Sequence, residues 1–132
     1  MTAGQVGACI VGCWFLLAAC RTDPGSDMIA QERASVVAWT LPPGAAMTTG
    51  ITLARKGSGL EASWEVSAPM TWAEYRGWSR SHGLPGYREV QADDAHISFV
   101  RTLPGDAFLV EVAVTGRGPP LRLRAMFSAY PD

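Results

Sequence analysis

The sequence has little charge and no clear excess of either sign. Only 17% of its 132 residues are Asp, Glu, Lys or Arg, and the formal net charge is −1. Because nucleic-acid phosphates are bound through a clear basic excess, this balance argues against a nucleic-acid partner. The three cysteines cannot all pair with one another, so a small disulfide-stabilised framework is excluded. A chain of this length accommodates one domain.

The hydrophobic residues, 48% of the chain, are unevenly distributed. Residues 6–19 read VGACIVGCWFLLAA and contain no charge. This run is shorter than the roughly 20 apolar residues that a membrane-spanning helix needs. A short apolar run near the N-terminus that ends in small residues is typical of a secretory signal peptide.

The run ends in Leu17-Ala18-Ala19-Cys20. This segment resembles the lipobox of bacterial lipoprotein precursors, and the resemblance covers residues 1–20 only. It implies that the Cys20 thiol receives a diacylglycerol and that a signal peptidase cuts before Cys20, with the small side chains of Ala18 and Ala19 fitting its site. Arg21 follows the cysteine, whereas an aspartate there favours retention in the inner membrane. The resemblance therefore implies lipid anchoring in the cell envelope, with the periplasmic face of the outer membrane favoured if the organism has one.

This interpretation divides the chain into three parts. Residues 1–19 form the signal peptide, residues 20–27 form a lipidated polar tether, and residues 28–132 form a single domain. Two or more acyl chains anchor a protein far more firmly than one, since each buried methylene contributes about 0.8 kcal/mol. With Cys9 and Cys13 removed and Cys20 acylated, the mature domain would have neither a disulfide nor a free thiol.

Alternation of apolar and polar residues predicts a β-hairpin in the first half of the domain. Residues 60–68 place apolar and polar side chains on opposite faces, as in a half-buried strand. Residues 51–55, joined to them by Lys56-Gly57-Ser58-Gly59, complete the hairpin. Residues 28–39 are compatible with a short helix or with a helix that runs into a strand.

The clearest helix signal follows the hairpin. Thr71 and Glu74 form a T-x-x-E capping box, in which each side chain accepts a hydrogen bond from a backbone N–H of the first turn. Trp72 and Tyr75 follow at helical spacing, and Gly83 is a natural residue just past a helix end. The pattern predicts a helix over residues 72–82.

The remaining sequence predicts strands. A short strand is expected at residues 87–91, and longer alternating runs at 97–103, 108–114 and 121–127 are separated by turn signals. The fold class that follows is α+β, with one amphipathic helix packed on an antiparallel sheet made of a hairpin and a three- to four-strand meander.

No motif in the sequence indicates a reaction, a cofactor or a metal. His82 falls in the last helical turn, where a cation suits the helix dipole. Asp93, Asp94 and His96 form the one cluster of potential metal ligands, but their spacing matches no known site, and a solvated turn is the better interpretation. Hydrolase motifs are absent. We therefore expect a protein that is not an enzyme and has no metal site.

Aromatic and arginine residues provide the candidate binding surface. Trp64, Trp72 and Tyr75 lie on predicted inner faces, so the aromatic residues are expected mainly to pack in the core, whereas Trp78 falls at the edge of the helical stripe. Arg122 and Arg124 share the outward face of the last strand, with Arg101 and Arg117 as possible neighbours. Such a row is more often a solvated face that protects a sheet than a binding site.

Three functions remain open from the sequence. The first is a lipid-anchored, non-enzymatic domain that binds another envelope protein through its sheet or a strand edge. The second is an envelope glycan or anionic-polymer binding module that uses Trp78 and the arginine row. The third is a small hydrolase, which requires His82 or His96 to line a pocket beside a carboxylate or a serine.

Overall fold

The computed structural model describes residues 24–131, with side chains from Asp27 onward. The chain divides into two compact units, Met1–Glu32 and Arg33–Asp132. Of the first unit only residues 24–32 are described, and they are the beginning of a helix. In the part described, the helices are α1 (Pro24–Trp39) and α2 (Trp72–His82), and the strands are β1 (Ala46–Met47), β2 (Thr52–Lys56), β3 (Gly59–Ala68), β4 (Arg88–Ala92), β5 (His96–Leu103), β6 (Asp106–Gly116) and β7 (Leu121–Pro131).

All strand pairs in the sheet are antiparallel, and the strand order is β1–β3–β7–β6–β5–β4. Strand β2 pairs with β3 on the same side as β1, farther toward the start of β3. Strands β4 to β7 form a four-strand meander, and β3 lies beside β7. The expected α+β class with a helix packed on an antiparallel sheet is confirmed.

Side-chain alternation along the strands produces one buried face. The apolar side chains that the sequence pattern assigns to this face are buried in β3, β6 and β7: Ala62, Trp64, Val66, Ala68, Phe108, Val110, Val112, Leu121, Leu123, Ala125 and Phe127. Leu60 and Val114, assigned to the same face, are only half-buried. The opposite face of β7 presents Arg122 and Arg124 to solvent. A period of two therefore determines which side of the sheet carries the core.

Helix α2 begins and ends where its local signals predict. The Thr71 hydroxyl accepts a hydrogen bond from the Glu74 backbone N–H at 3.1 Å, and Glu74 Oε1 accepts one from the Thr71 N–H at 2.9 Å. Gly83 ends the helix with a φ of 55°, a conformation that favours glycine, and its N–H donates to the Ser79 carbonyl. Trp72, Tyr75 and Ser79 are buried, at the spacing of one helical face.

Within the second unit, Thr40 forms hydrogen bonds to several elements. This residue directly follows α1 and is fully buried. Its carbonyl accepts a hydrogen bond from the Tyr75 hydroxyl of α2 at 2.7 Å. Its side-chain oxygen accepts one from the Trp64 indole of β3 at 3.0 Å and donates to the Val37 carbonyl at 2.7 Å. One buried residue thus connects the end of α1 with both α2 and the sheet.

Two parts of the structure differ from the sequence expectations. Helix α1 begins at Pro24, a position suited to a first helical turn, so residues 24–27 of the expected tether are helical. Residues 28–39 are also helical and include no strand. Strand β1 was not predicted, because two residues are too few to show a period and its pairing with β3 depends on a partner distant in sequence.

We predict that Tyr75→Phe lowers the free energy of unfolding by about 1–3 kcal/mol, because it leaves the buried Thr40 carbonyl without its donor. Chemical denaturation followed by tryptophan fluorescence measures the change. The matched control is Tyr130→Phe, at a tyrosine that is 39% exposed, where a change within about 0.5 kcal/mol is expected. Equal effects of the two substitutions would contradict the role assigned to the Tyr75 hydroxyl.

We also predict, from the burial of the Tyr75 phenol, that the protein loses stability at alkaline pH. Burial raises the pKa of the Tyr75 phenol well above its ordinary value of about 10. The folded protein therefore keeps this proton at pH values where the unfolded chain has released it. The contribution of this phenol to the free energy of unfolding is therefore constant at pH values well below 10, and the free energy of unfolding falls as the pH rises through and beyond 10. Unfolding free energies measured from pH 8 to 11 should fall more steeply for the unmodified protein than for Tyr75→Phe, and parallel curves would refute the prediction.

Candidate functional site

A cleft of about 430 Å³ lies where the start of α2 meets the loop between β6 and β7. One side, the α2 wall, consists of residues 69–72 and Glu74, and the other, the loop wall, consists of residues 117–119. Pockets that bind small molecules have volumes of about 300–1,000 Å³ and are mostly apolar with a few convergent polar groups. The volume of this cleft falls in that range, and Pro69, Met70 and Pro119 line it together with the charged residues Glu74 and Arg117.

Local structure holds the charged groups of the cleft in place. The capping box at the start of α2 positions Thr71 and Glu74. On the loop wall, Arg117 Nη2 donates a hydrogen bond to the Asp94 carbonyl oxygen. The two charges therefore belong to different walls. A backbone group orients each of them, the Thr71 N–H for Glu74 and the Asp94 carbonyl oxygen for Arg117.

The turn before β5 accepts hydrogen bonds from residues of both cleft walls and from Arg76 of α2. The Asp93 carbonyl accepts hydrogen bonds from the Trp72 indole and from Arg76 Nη1, each at 3.2 Å. The Asp93 carboxylate accepts one from the Ala95 N–H at 2.9 Å, and this bond is the main reason that the pKa of Asp93 lies below its ordinary value. The Asp93–Asp94 pair thus serves as a structured turn that receives donors from α2 and from the loop wall.

The two histidines lie apart from the cleft lining. His82 Nδ1 is 3.0 Å from the Trp78 carbonyl in the last turn of α2, and its ring stacks on Trp78 with centroids 4.4 Å apart. His96 Nε2 lies 3.4 Å from Glu111 Oε2, on the sheet face opposite the core. Within residues 24–131, no group of three or more His, Cys, Asp or Glu side chains is arranged to hold a metal ion.

The arginine row is partly assembled. Arg122 and Arg124 are exposed on the outer face of β7, and Arg124 is directly opposite Glu65 of β3. Arg101 instead pairs with the buried Phe108 and therefore lies on the helix side of the sheet. Arg117 belongs to the loop wall of the cleft. The structure thus places the four arginines in three different surroundings.

Trp78 is half-buried, and one face of its ring is covered by His82. The other tryptophans in the described part are in the core, where Trp39 packs edge-on against Phe99 at 5.0 Å between ring centroids. Four large hydrophobic side chains are exposed within residues 27–131, and Tyr130, at 39% exposure, is the one aromatic residue among them. A platform of two adjacent exposed aromatic rings does not form around Trp78.

A second surface feature is the free edge of β2, the side of this strand that has no partner strand within residues 24–131. Every residue of this strand is exposed, and Leu53 is 54% exposed. Its pairing with β3 is regular over all five residues. At the other end of the sheet, β4 has a register shift between Glu89 and Gln91 and is tied to α2 by the Arg80–Glu89 ion pair at 3.2 Å. The β2 edge is therefore the more regular template for another strand.

The lipobox residues Leu17, Ala18, Ala19 and Cys20 lie outside the described residues. Neither helix in residues 24–131 has both the length and the apolar character of a membrane-spanning helix. Sequence reasoning selected Trp78, Arg122 and Arg124 and missed the cleft. The capping box was visible in the sequence, but Arg117 approaches it only through the fold.

Comparisons with protein-family models, with curated proteins and with solved structures found no match to the chain.

Proposed function

We propose that this protein is a lipid-anchored, non-enzymatic domain of the bacterial cell envelope that binds an extended segment of another envelope protein along the free edge of β2. The anchor is the diacylglyceryl group on Cys20. The interaction surface is the edge strand with the exposed side chains of Ile51 and Leu53. The observation that carries the proposal is this regular and fully exposed edge strand.

The anchor is supported by three features of the sequence that occur together. Residues 6–19 are uncharged and apolar, the small residues Ala18 and Ala19 precede Cys20, and a polar segment with Pro24 and Gly25 follows. This order is that of a lipoprotein precursor. A lipid anchor also raises the effective concentration of the domain for partners on the same membrane, which makes weak interfaces sufficient.

The interaction is supported by the chemistry of the β2 edge. An unpaired edge presents a row of backbone N–H and C=O groups, which an extended peptide satisfies by adding a strand. Leu53 pairs with the buried Ala62 of β3, so its side chain continues the apolar helix side of the sheet beyond the core. Arg55 is on the same side. A partner strand therefore fits best with an apolar residue opposite Leu53 and an acidic one opposite Arg55.

Binding of an anionic polymer or a glycan is the alternative. It would use Arg122, Arg124 and Trp78. Glu65 opposite Arg124 reduces the positive charge of that face, and His82 covers one face of Trp78. The β2 edge therefore has the better support.

We predict that Cys20→Ala abolishes fatty-acid labelling of the protein and releases it from the membrane fraction, because the thiol that accepts the lipid is lost. Metabolic labelling with a fatty-acid analogue and membrane fractionation measure both effects. The matched control is Cys13→Ala, which leaves the lipobox intact and should label normally. A Cys20→Ala variant that still labels would exclude the proposed anchor.

A photocrosslinking amino acid in place of Leu53 should form a discrete adduct with another envelope protein in living cells, identified by mass spectrometry. The matched control is the same amino acid in place of Val90, which is 45% exposed on the bulged edge strand β4. Leu53→Glu should prevent capture by a crosslinker in place of Ile51. Equal adducts from positions 53 and 90, or none from position 53, would overturn the proposed surface.

A further inference from the structure

The cleft between the α2 wall and the loop wall carries one acidic and one basic side chain. Glu74 belongs to the first wall and Arg117 to the second. In the part of the chain that the structure describes, no ion pair within 4.0 Å joins Glu74 to Arg117, in contrast to Lys56–Glu61, Arg80–Glu89 and His96–Glu111. Glu74 and Arg117 therefore do not neutralise each other by direct contact.

Each of these side chains retains hydrogen-bonding capacity beyond the bond that it already makes. Arg117 donates from Nη2 to the Asp94 carbonyl, and a guanidinium has five N–H groups in all. Glu74 accepts the Thr71 N–H on Oε1, and its second carboxylate oxygen is not needed for the capping box. The bonds already made orient both side chains and leave a cationic donor and an anionic acceptor for a ligand.

The surface around the two charges is mainly apolar. Pro69 and Met70 contribute to the α2 wall, and Pro119 contributes to the loop wall. Trp72, also part of the lining, is only 6% exposed, so it forms the inner boundary of the cleft. The two prolines have fixed φ angles, which reduces the conformational entropy that binding removes from these walls.

A ligand that covers the apolar walls displaces water from both charged groups. Removing water from a charge is costly unless the charge is paired, so a simple anion would leave Glu74 without compensation and a simple cation would do the same to Arg117. A ligand with a carboxylate, an ammonium group and an apolar body satisfies both charges and both walls.

We propose that this cleft is a binding site for a short apolar peptide with free ends, of about dipeptide size. The ligand carboxylate pairs with Arg117, its ammonium group pairs with Glu74, and its side chains contact Pro69, Met70 and Pro119. This site is separate from the β2 edge, and it stands or falls independently of the interaction surface proposed above.

The test is calorimetric titration of the full-length chain in detergent micelles with the dipeptide Leu-Leu, its N-acetyl derivative and its C-terminal amide. Saturable binding of Leu-Leu is expected, and each capped derivative should bind about tenfold more weakly or worse, because it lacks one charge-assisted pair.

Two variants test which side chain binds which end of the ligand. Glu74→Gln keeps the capping box, since glutamine serves at this position, but it should remove the preference for the free over the acetylated peptide. Arg117→Gln should remove the preference for the free acid over the amide. Glu111→Gln and Arg124→Gln make the same charge changes on the opposite face of the sheet and should leave all three affinities unchanged.

Absence of saturable Leu-Leu binding would overturn the proposal. Equal affinities for the free and capped peptides would do the same, because the two charges would then play no part. An effect of Glu111→Gln or Arg124→Gln as large as that of the cleft variants would place the binding elsewhere. Unfolding curves of each variant identify any loss of affinity that follows from loss of structure.

Discussion

The buried Thr40 is the constraint on which the second unit of the structure depends. Its carbonyl and hydroxyl bind Tyr75 of α2 and Trp64 of β3, so the end of α1, the second helix and the sheet meet at one residue. A buried polar group without its partner is costly, and these bonds therefore select one arrangement of the three elements among the many that would bury the same apolar area. Burial of the apolar face of the sheet drives the packing, and the hydrogen bonds of Thr40 fix how the end of α1 and α2 are placed on the sheet.

The position of α2 determines where the proposed ligand cleft lies. Tyr75 holds the helix through Thr40, while Trp72 and Arg76 hold its first turns against the Asp93 carbonyl. The start of the helix is therefore fixed beside the loop that carries Arg117, whose own anchor is the adjacent Asp94 carbonyl. A single turn before β5 thus supports both walls of the cleft.

The features that the sequence predicts well are those determined by neighbouring residues. Helix α2 is determined by its capping box and Gly83, and the buried face of β3 and β7 by strict alternation. The cleft and the Thr40 junction were missed, because they join residues far apart in the sequence. Thr40, for example, binds partners 24 and 35 positions away. The burial of Trp64 was predictable from its strand face, whereas its hydrogen bond required the fold.

We propose that a lipid on Cys20 holds the domain at the membrane, where the β2 edge meets its partner. Intact-mass spectrometry of the protein purified from its native membranes tests this most directly. We expect a chain that begins at Cys20 and carries the added mass of a diacylglyceryl group, with or without a further acyl chain. A chain that retains residues 1–19, or one that begins at Cys20 without added mass, would contradict it.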